Sequence, residues 1–386
     1  MSAVLPLPAP ASRNSMLLGI RGWAGVTIAL VVVAVLVPIA NLLVPQGSVF
    51  HLSEYAVQLA GKIMCYAICA LAMDLIWGYT GILSLGHGVF FALGGYAMGM
   101  YLMRQIGSDG QYRMPMPDFM VFLNWKQFPW HWALSDSFVA QMALVVIAPG
   151  VLAFVFGFFA FRSRIKGVYF SIITQAMTFA MMLLFFRNET GFGGNNGFTD
   201  FKRILGHPIA TPTMRMFLFV ATGCTLIAFF LLARAIVESK FGRVLQAIRD
   251  AESRVMFTGY DPLRYKLAIW TLSAVMCGIA GALYVPQVGI INPSEMTPAA
   301  SIEIAIWTAV GGRATLIGPI VGAFFVNGAK SWFTQAFPEF WLYALGAMFI
   351  AVTLFLPHGI VGLVRGPDGV VARLRRSVRK EGGSAS

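Results

Sequence analysis

Long apolar runs, separated by short polar or glycine-rich breaks, dominate the chain. They fall at 22–44, 55–77, 81–103, 138–160, 167–186, 214–233, 267–285, 300–312, 314–335 and 341–357. Most hold about 20 residues, enough for a helix to cross roughly 30 Å of hydrocarbon. The eighth is short, starting after Asn292, Pro293 and Pro298 and ending at Gly311-Gly312-Arg313. The short alternating segments of a membrane β-barrel do not occur. The pattern predicts an all-α polytopic integral membrane protein with about ten spans, one of them short. Residues 1–21 read as a frayed leader rich in Pro, Ala and Ser, 22–357 as the transmembrane domain, and 358–386 as a basic tail.

Composition agrees with this class. Charged residues make up 11% of the chain against 58% hydrophobic ones, whereas a soluble domain carries about 25% charge. Charge also sets the topology. Ten crossings place both termini on one side, and that side carries 19 Lys/Arg against seven on the other, with Lys62 and Lys330 inside spans. Lysine and arginine mark the cytoplasmic side, so both termini are expected there. The net charge of +12 then follows the membrane, and nucleic acid is not an expected partner. The tail RLRRSVRK suits anionic lipid headgroups. The first span is too long for a secretory h-region and is expected to remain in the mature protein. The outer loop 104–137, with Trp125, Trp130 and Trp132, reads as a cap at the membrane surface.

Chemistry is largely absent. The only Gly-Lys pair, Gly61-Lys62, is followed by Ile63, and GFGGNNGF at 191–198 has Asn196 where a dinucleotide fingerprint needs its third glycine. No nucleophile–base or metal constellation stands out among the five histidines, and Cys65, Cys69, Cys224 and Cys277 lie in apolar runs as packing thiols. No cofactor and no enzymatic activity are expected. Lys62 and Lys330 lie within about two turns of outer span ends and can snorkel. Asp74 lies within a turn of the inner end of its span. No acidic pair occupies a midplane, which weighs against ion-coupled secondary transport.

The segment GYTGILSLGHGVFFALGGYAMGMYLM, 78–103, admits two readings. Gly95-x-x-x-Gly99 gives a close-packing face, with His87 bonded to a neighbouring helix. Alternatively Thr80, Ser84 and His87 line a pathway wall beside exposed backbone. Ile76-Trp77-Gly78 has a loose counterpart in Ile306-Trp307 before Gly311-Gly312, which adds Thr308 to the pathway candidates and suggests a duplicated broken-helix core. The outer loop 187–203 carries Asn195 and Asn196 and reads either as a connector or as a gate or docking lip. On the cytoplasmic side, 238–266 shows a helical stripe of Val244, Ile248, Ala251 and Val255. Arg243, Arg249, Asp250, Glu252 and Arg254 surround it. Asp250 and Arg254 are spaced to pair, and Gly259 with Asp261-Pro262 ends the helix. The stripe suits a bilayer surface or a groove on another protein.

These stretches resemble the permeases of branched-chain amino-acid ABC importers. GYTGILSLGHGVFFALGGY and SKFGRVLQAIRD through Gly259 carry the likeness, over roughly 55–365. NETGFGGNNGFTDFK, INPSEMTPAASIEIAIWTAVGGRATLIGP and PEFWLYALGAMFIAVTLFLPHGIVGL look closer to the urea-importer (UrtC-type) branch, with Ala314 standing where GGRGTL would place a glycine. The resemblance implies a bacterial inner-membrane permease working with a second homologous permease, two cytoplasmic ATPases and a periplasmic substrate-binding protein. It implies inward movement of urea, with branched-chain amino acids or a passive urea or amide channel as alternatives. It also implies an ATPase-coupling role for Gly242, Arg243, Val244, Ile248, Arg249, Asp250 and Gly259.

Overall fold

The structure is a computed structural model that describes residues 18–340 apart from 46, then 343, 346, 347, 350, 354 and 359–365. The expected tenth span, most of the leader and most of the tail lie outside the described residues. Among the described residues, nine expected spans are helices. α1 (Ile20–Val31) runs through a π-turn, Val32–Leu36, into α2 (Val37–Leu42). α3 (Glu54–Thr80) and α4 (His87–Arg104) follow, then a short outer helix α5 (Asp118–Phe122). Next come α6 (Phe138–Arg162), α7 (Val168–Phe186) and α8 (Pro212–Glu238). The cytoplasmic α9 (Lys240–Phe257) precedes α10 (Pro262–Val288), α11 (Pro298–Gly311) and α12 (Ile317–Ala336). Six helical stretches are long and apolar enough to cross a membrane, by length and composition.

Local chemistry fixes the ends. Ser53, Ser137, Thr211, Ser239, Asp261 and Thr297 cap α3, α6, α8, α9, α10 and α11 with side-chain oxygens that accept a first-turn N–H. Gly81 ends α3 in the left-handed region at φ 74°. The sequence places the third span from 81, but residues 81–86 are non-helical and α4 begins at His87. Two small antiparallel ribbons, which hydropathy does not reveal, fold the outer loops: Phe198–Thr199 pairs with Ile290–Ile291, and Arg203–Ile204 with His207–Pro208.

α3, α4 and α10 form the buried centre. Residues 22–42 of α1 and α2, by contrast, include no buried residue. Without a hydrophobic drive between helices in lipid, close approach depends on small residues. A Cβ on Gly94 would overlap the Gly278 carbonyl, and one on Gly281 would overlap Phe91 O. Gly278 in turn faces Pro149 and Val145 O of α6. Gly95 and Gly99 pack on Ile291 and Phe198, so that motif is a packing face. Gly311, Gly318 and Gly322 bring α11 against α12 in the same way.

Gly278→Ala places a methyl 2.6 Å from Pro149 Cγ. Overpacking of this kind costs about 1–3 kcal/mol. The thermal midpoint of the detergent-solubilised protein should drop in this variant. Gly328→Ala, which meets nothing within 4 Å, should leave that midpoint unchanged or raised.

Candidate functional site

The residues of the glycine turn come together, but as a seal. His87 Nε2 lies 2.7 Å from Ser273 Oγ and its Nδ1 3.2 Å from Ser84 Oγ. Ser273 Oγ donates to Ala72 O at 2.8 Å, closing a chain of bonds from α4 through α10 to α3. Thr80 donates to Ile76 O. α7 satisfies the turn's backbone: Ser171 Oγ donates to Leu83 O, and Thr174 Oγ1 accepts from Leu85 N–H. All of these hydroxyls and the imidazole are buried. The polar atoms of Thr80, Ser84 and His87 are thus bonded within the chain, the arrangement that the packing reading describes.

The open space lies instead along α3. Tyr55, Leu59, Lys62, Ile63 and Tyr66 recur at helical spacing and face a second such row on α12, Asn327, Lys330, Ser331, Thr334 and Gln335. Between them runs a groove of about 290 Å³. One turn further along α3, Tyr66 and Cys69 join Gly88 and Phe91 of α4, Glu295, and the row Ala300, Glu303, Ile304 and Trp307 of α11 around a slot of about 40 Å³. Tyr66 lines both spaces. Its ring centroid is 4.7 Å from that of Trp307, and its hydroxyl is 3.5 Å from Tyr284 OH. Tyr284 OH donates to Glu295 Oε1 at 3.2 Å, while Lys330 Nζ reaches both oxygens of Glu303 at 2.9 Å. Lys62 Nζ stands 5.8 Å from the Tyr66 ring centroid. Trp307 Nε1–H is buried and has no hydrogen-bond partner among the described residues.

Beyond the slot the helices close. Thr308 Oγ1 donates to Ala70 O at 3.1 Å, so Thr308 marks the inner floor of the slot and does not line it. One turn on, the Asp74 carboxylate accepts from Ala314 N–H at 2.6 Å and Leu316 N–H at 3.1 Å. Ala314 and Leu316 sit at φ 57° and 59°, a region that favours glycine. Arg313 lies 4.6 Å over the Trp77 ring. The two expected breaks thus meet each other.

α9 is attached to this closure. Arg249 Nη1 donates to Gly78 O at 2.8 Å. Glu252 holds both Lys166, from the α6–α7 loop, and Lys266 of α10. The expected partner stripe needs correction: Ile248 and Val255 are buried against the chain's own helices, and Val244 is partly buried. Gly242 is buried too, allowing close approach to the end of α8 at Ile236 O and Val237 O. Asp250 bonds Arg249 at 2.9 Å instead of Arg254, and the helix kinks at Ala251. Arg243, Arg249, Asp250 and Gly259 remain on the surface. Sequence periodicity missed Phe257, which is 92% exposed, with Met256 and Tyr260 exposed beside it.

On the outer side Asn195 and Asn196 are exposed at the tip of a folded loop. Trp132 is buried and donates from Nε1 to Gly191 O at 3.2 Å, whereas Trp130 is exposed. The cap therefore ties two outer loops together through Trp132. Gly193 and Gly194 lie at φ 77° and 55° beside Gly197 O and Asn188, so bulky residues there would distort the loop.

Residues 55–353 match the family model of the branched-chain amino acid transport system / permease component. The chain belongs to this permease family. It is similar to the high-affinity branched-chain amino acid transport system permease LivM of Salmonella typhimurium and of Escherichia coli. Each is 22% identical, covering 82% of this chain and 72% of the relative. It is also similar to BraD of Pseudomonas aeruginosa, 22% identical over 77% of this chain and 91% of that one. No solved structure matches. The permease is a multi-pass inner-membrane transport subunit of an ABC importer, not an enzyme.

Within the permease, Glu252 joins three cytoplasmic elements. Burial pushes its carboxyl up, but hydrogen bonds from Lys166 and Lys266 and their charges outweigh this and hold it below the ordinary glutamate range. A depressed carboxyl contributes stability above its unfolded pKa and loses it as pH falls through the folded value. Glu252→Gln should therefore lower stability at neutral pH by up to about 1 kcal/mol, the scale of a screened ion pair. The difference from the native protein should vanish in acid, as read from thermal midpoints across pH.

Proposed function

We propose that the permease carries urea inward, as one of two homologous permeases served by two cytoplasmic ATPases and a periplasmic binding protein. The slot beside Tyr66 is the observation that carries the solute. Its volume of about 40 Å³ is on the scale of a few water-sized groups, which favours a small solute such as urea over a larger one such as leucine. Urea is planar, and the Tyr66 and Trp307 rings offer flat walls. Its carbonyl would accept from the partnerless Trp307 N–H, and its amides would donate toward Glu295 and Glu303. A second reading, branched-chain amino acids, draws support from the relatives' names and from Lys62 and Lys330 set against Glu295 and Glu303, which complement a zwitterion. A passive channel would need no helix such as α9.

The coupling contact, on this reading, is the exposed side of α9. Arg243 and Asp250 supply charge and Phe257 supplies the apolar anchor; buried aromatic anchors dominate interfaces. Arg249 would pass motion to Gly78. Asn195 and Asn196 would face the binding protein.

The reconstituted complex should take up labelled urea over labelled leucine and stop under vanadate. Uptake undiminished without ATP supports the channel, and preference for leucine supports the second reading. Phe257→Asp should abolish co-purification of the ATPases, because it places a charge in a desolvated contact at a cost of about 3–5 kcal/mol. Arg249→Ala should retain the ATPases but lose transport per ATP hydrolysed. Full retention and normal coupling in both variants would remove α9 from this role.

A further inference from the structure

We infer that Tyr66 is the outer gate of the permease, the barrier between an outer vestibule and the inner slot. The inference rests on the route assigned under the proposed function, but not on which solute uses it. Three helices place the barrier. The groove walls end at Tyr66 on α3, and the slot walls begin at the same side chain. Among the described residues no other lines both spaces. The ring is wedged in place by tilted contacts with the rings of Trp307, at 4.7 Å, and Tyr284, at 5.6 Å between centroids. It is held only lightly by polar bonds, since its hydroxyl reaches Tyr284 OH at 3.5 Å, the limit of hydrogen-bonding distance.

That combination suits a moving part. An aromatic ring turning about its side-chain torsions on the edge of a cavity needs no backbone rearrangement. Turning Tyr66 breaks one weak hydroxyl contact and exchanges its ring contacts with Trp307 and Tyr284 for open groove. By contrast, the inner floor is fixed by Thr308 on Ala70 O and by two backbone bonds to Asp74. The two ends of the slot are therefore built differently: a single side chain outside, and a helix-to-helix clamp inside. The side-chain gate answers to solute arriving through the groove, while the clamp answers to the cytoplasmic helix that grips Gly78 O.

Cys69, one helical turn inward and lining the slot, reports the gate directly. A membrane-impermeant methanethiosulfonate is applied from the outside to the assembled complex in right-side-out vesicles, and labelled peptides are located by mass spectrometry. In the native protein Cys69 should react far more slowly than a cysteine placed above the gate by Lys62→Cys. Tyr66→Ala and Tyr66→Leu should each raise Cys69 labelling by about tenfold or more, equivalent to some 1.4 kcal/mol of barrier. Tyr66→Phe, which keeps the ring, should protect Cys69 as the native residue does. Equal rates at Cys69 and at Lys62→Cys in an otherwise native chain would overturn the gate, even if the alanine and leucine variants failed to assemble. Unchanged protection in an assembled alanine or leucine variant would overturn it too. Because labelling requires no transported solute, a failed urea assay and a failed gate are distinguishable.

Discussion

The bond from Asp74 to the N–H groups of Ala314 and Leu316 is the contact on which the arrangement depends. A carboxylate with no exposure inside a membrane protein is tolerated only if its charge is well solvated by donors. Here the donors come from a turn with residues 314 and 316 at positive φ, conformations that cost of order 1–3 kcal/mol each unless their surroundings hold them. Each side therefore needs the other. The carboxylate fixes the strained turn between α11 and α12, and the turn makes the buried charge acceptable. Gly78 is a glycine for the same reason, since a Cβ there would lie 2.7 Å from Ala314 N.

From that point α3 organises the molecule. Its outer half presents the groove and slot, its Asp74 is clamped to the turn between α11 and α12, and its Gly78 carbonyl accepts from Arg249 of α9. On the proposed reading this makes α3 the element through which ATPase motion reaches the solute. The His87–Ser84–Ser273 network ties α4 and α10 to α3.

Hydropathy and charge were enough to read the all-α class, the short α11 and the glycine packing faces, because each is written in consecutive residues. The helix start at His87 was not legible: residues 81–86 are as apolar as a span, and part of their backbone is satisfied by the hydroxyls of α7, distant in sequence. Thr80, Ser84, His87 and Thr308 drew notice as polar residues in apolar runs. Whether such a group faces a path or a partner depends on tertiary neighbours such as Ser273 and Ala70. The residues of the groove and slot were not singled out in the sequence, although Tyr55, Lys62, Tyr66 and Cys69 share one face of α3 by spacing; Lys62 read as a snorkelling side chain and Cys69 as a packing thiol. On α9 the apolar stripe was real, but an amphipathic pattern does not say whether its own chain or another covers it. Leu245, Ile248 and Val255 turn inward, leaving Phe257 outside.

The most direct test measures Cys69 reactivity from the cytoplasmic side, in inverted vesicles carrying the assembled complex without nucleotide. The account predicts that Cys69 is protected in the native protein and becomes reactive to an impermeant thiol reagent when Asp74→Ala releases the clamp. If Cys69 stays equally protected in an assembled Asp74→Ala complex, the clamp does not close the route and the account fails.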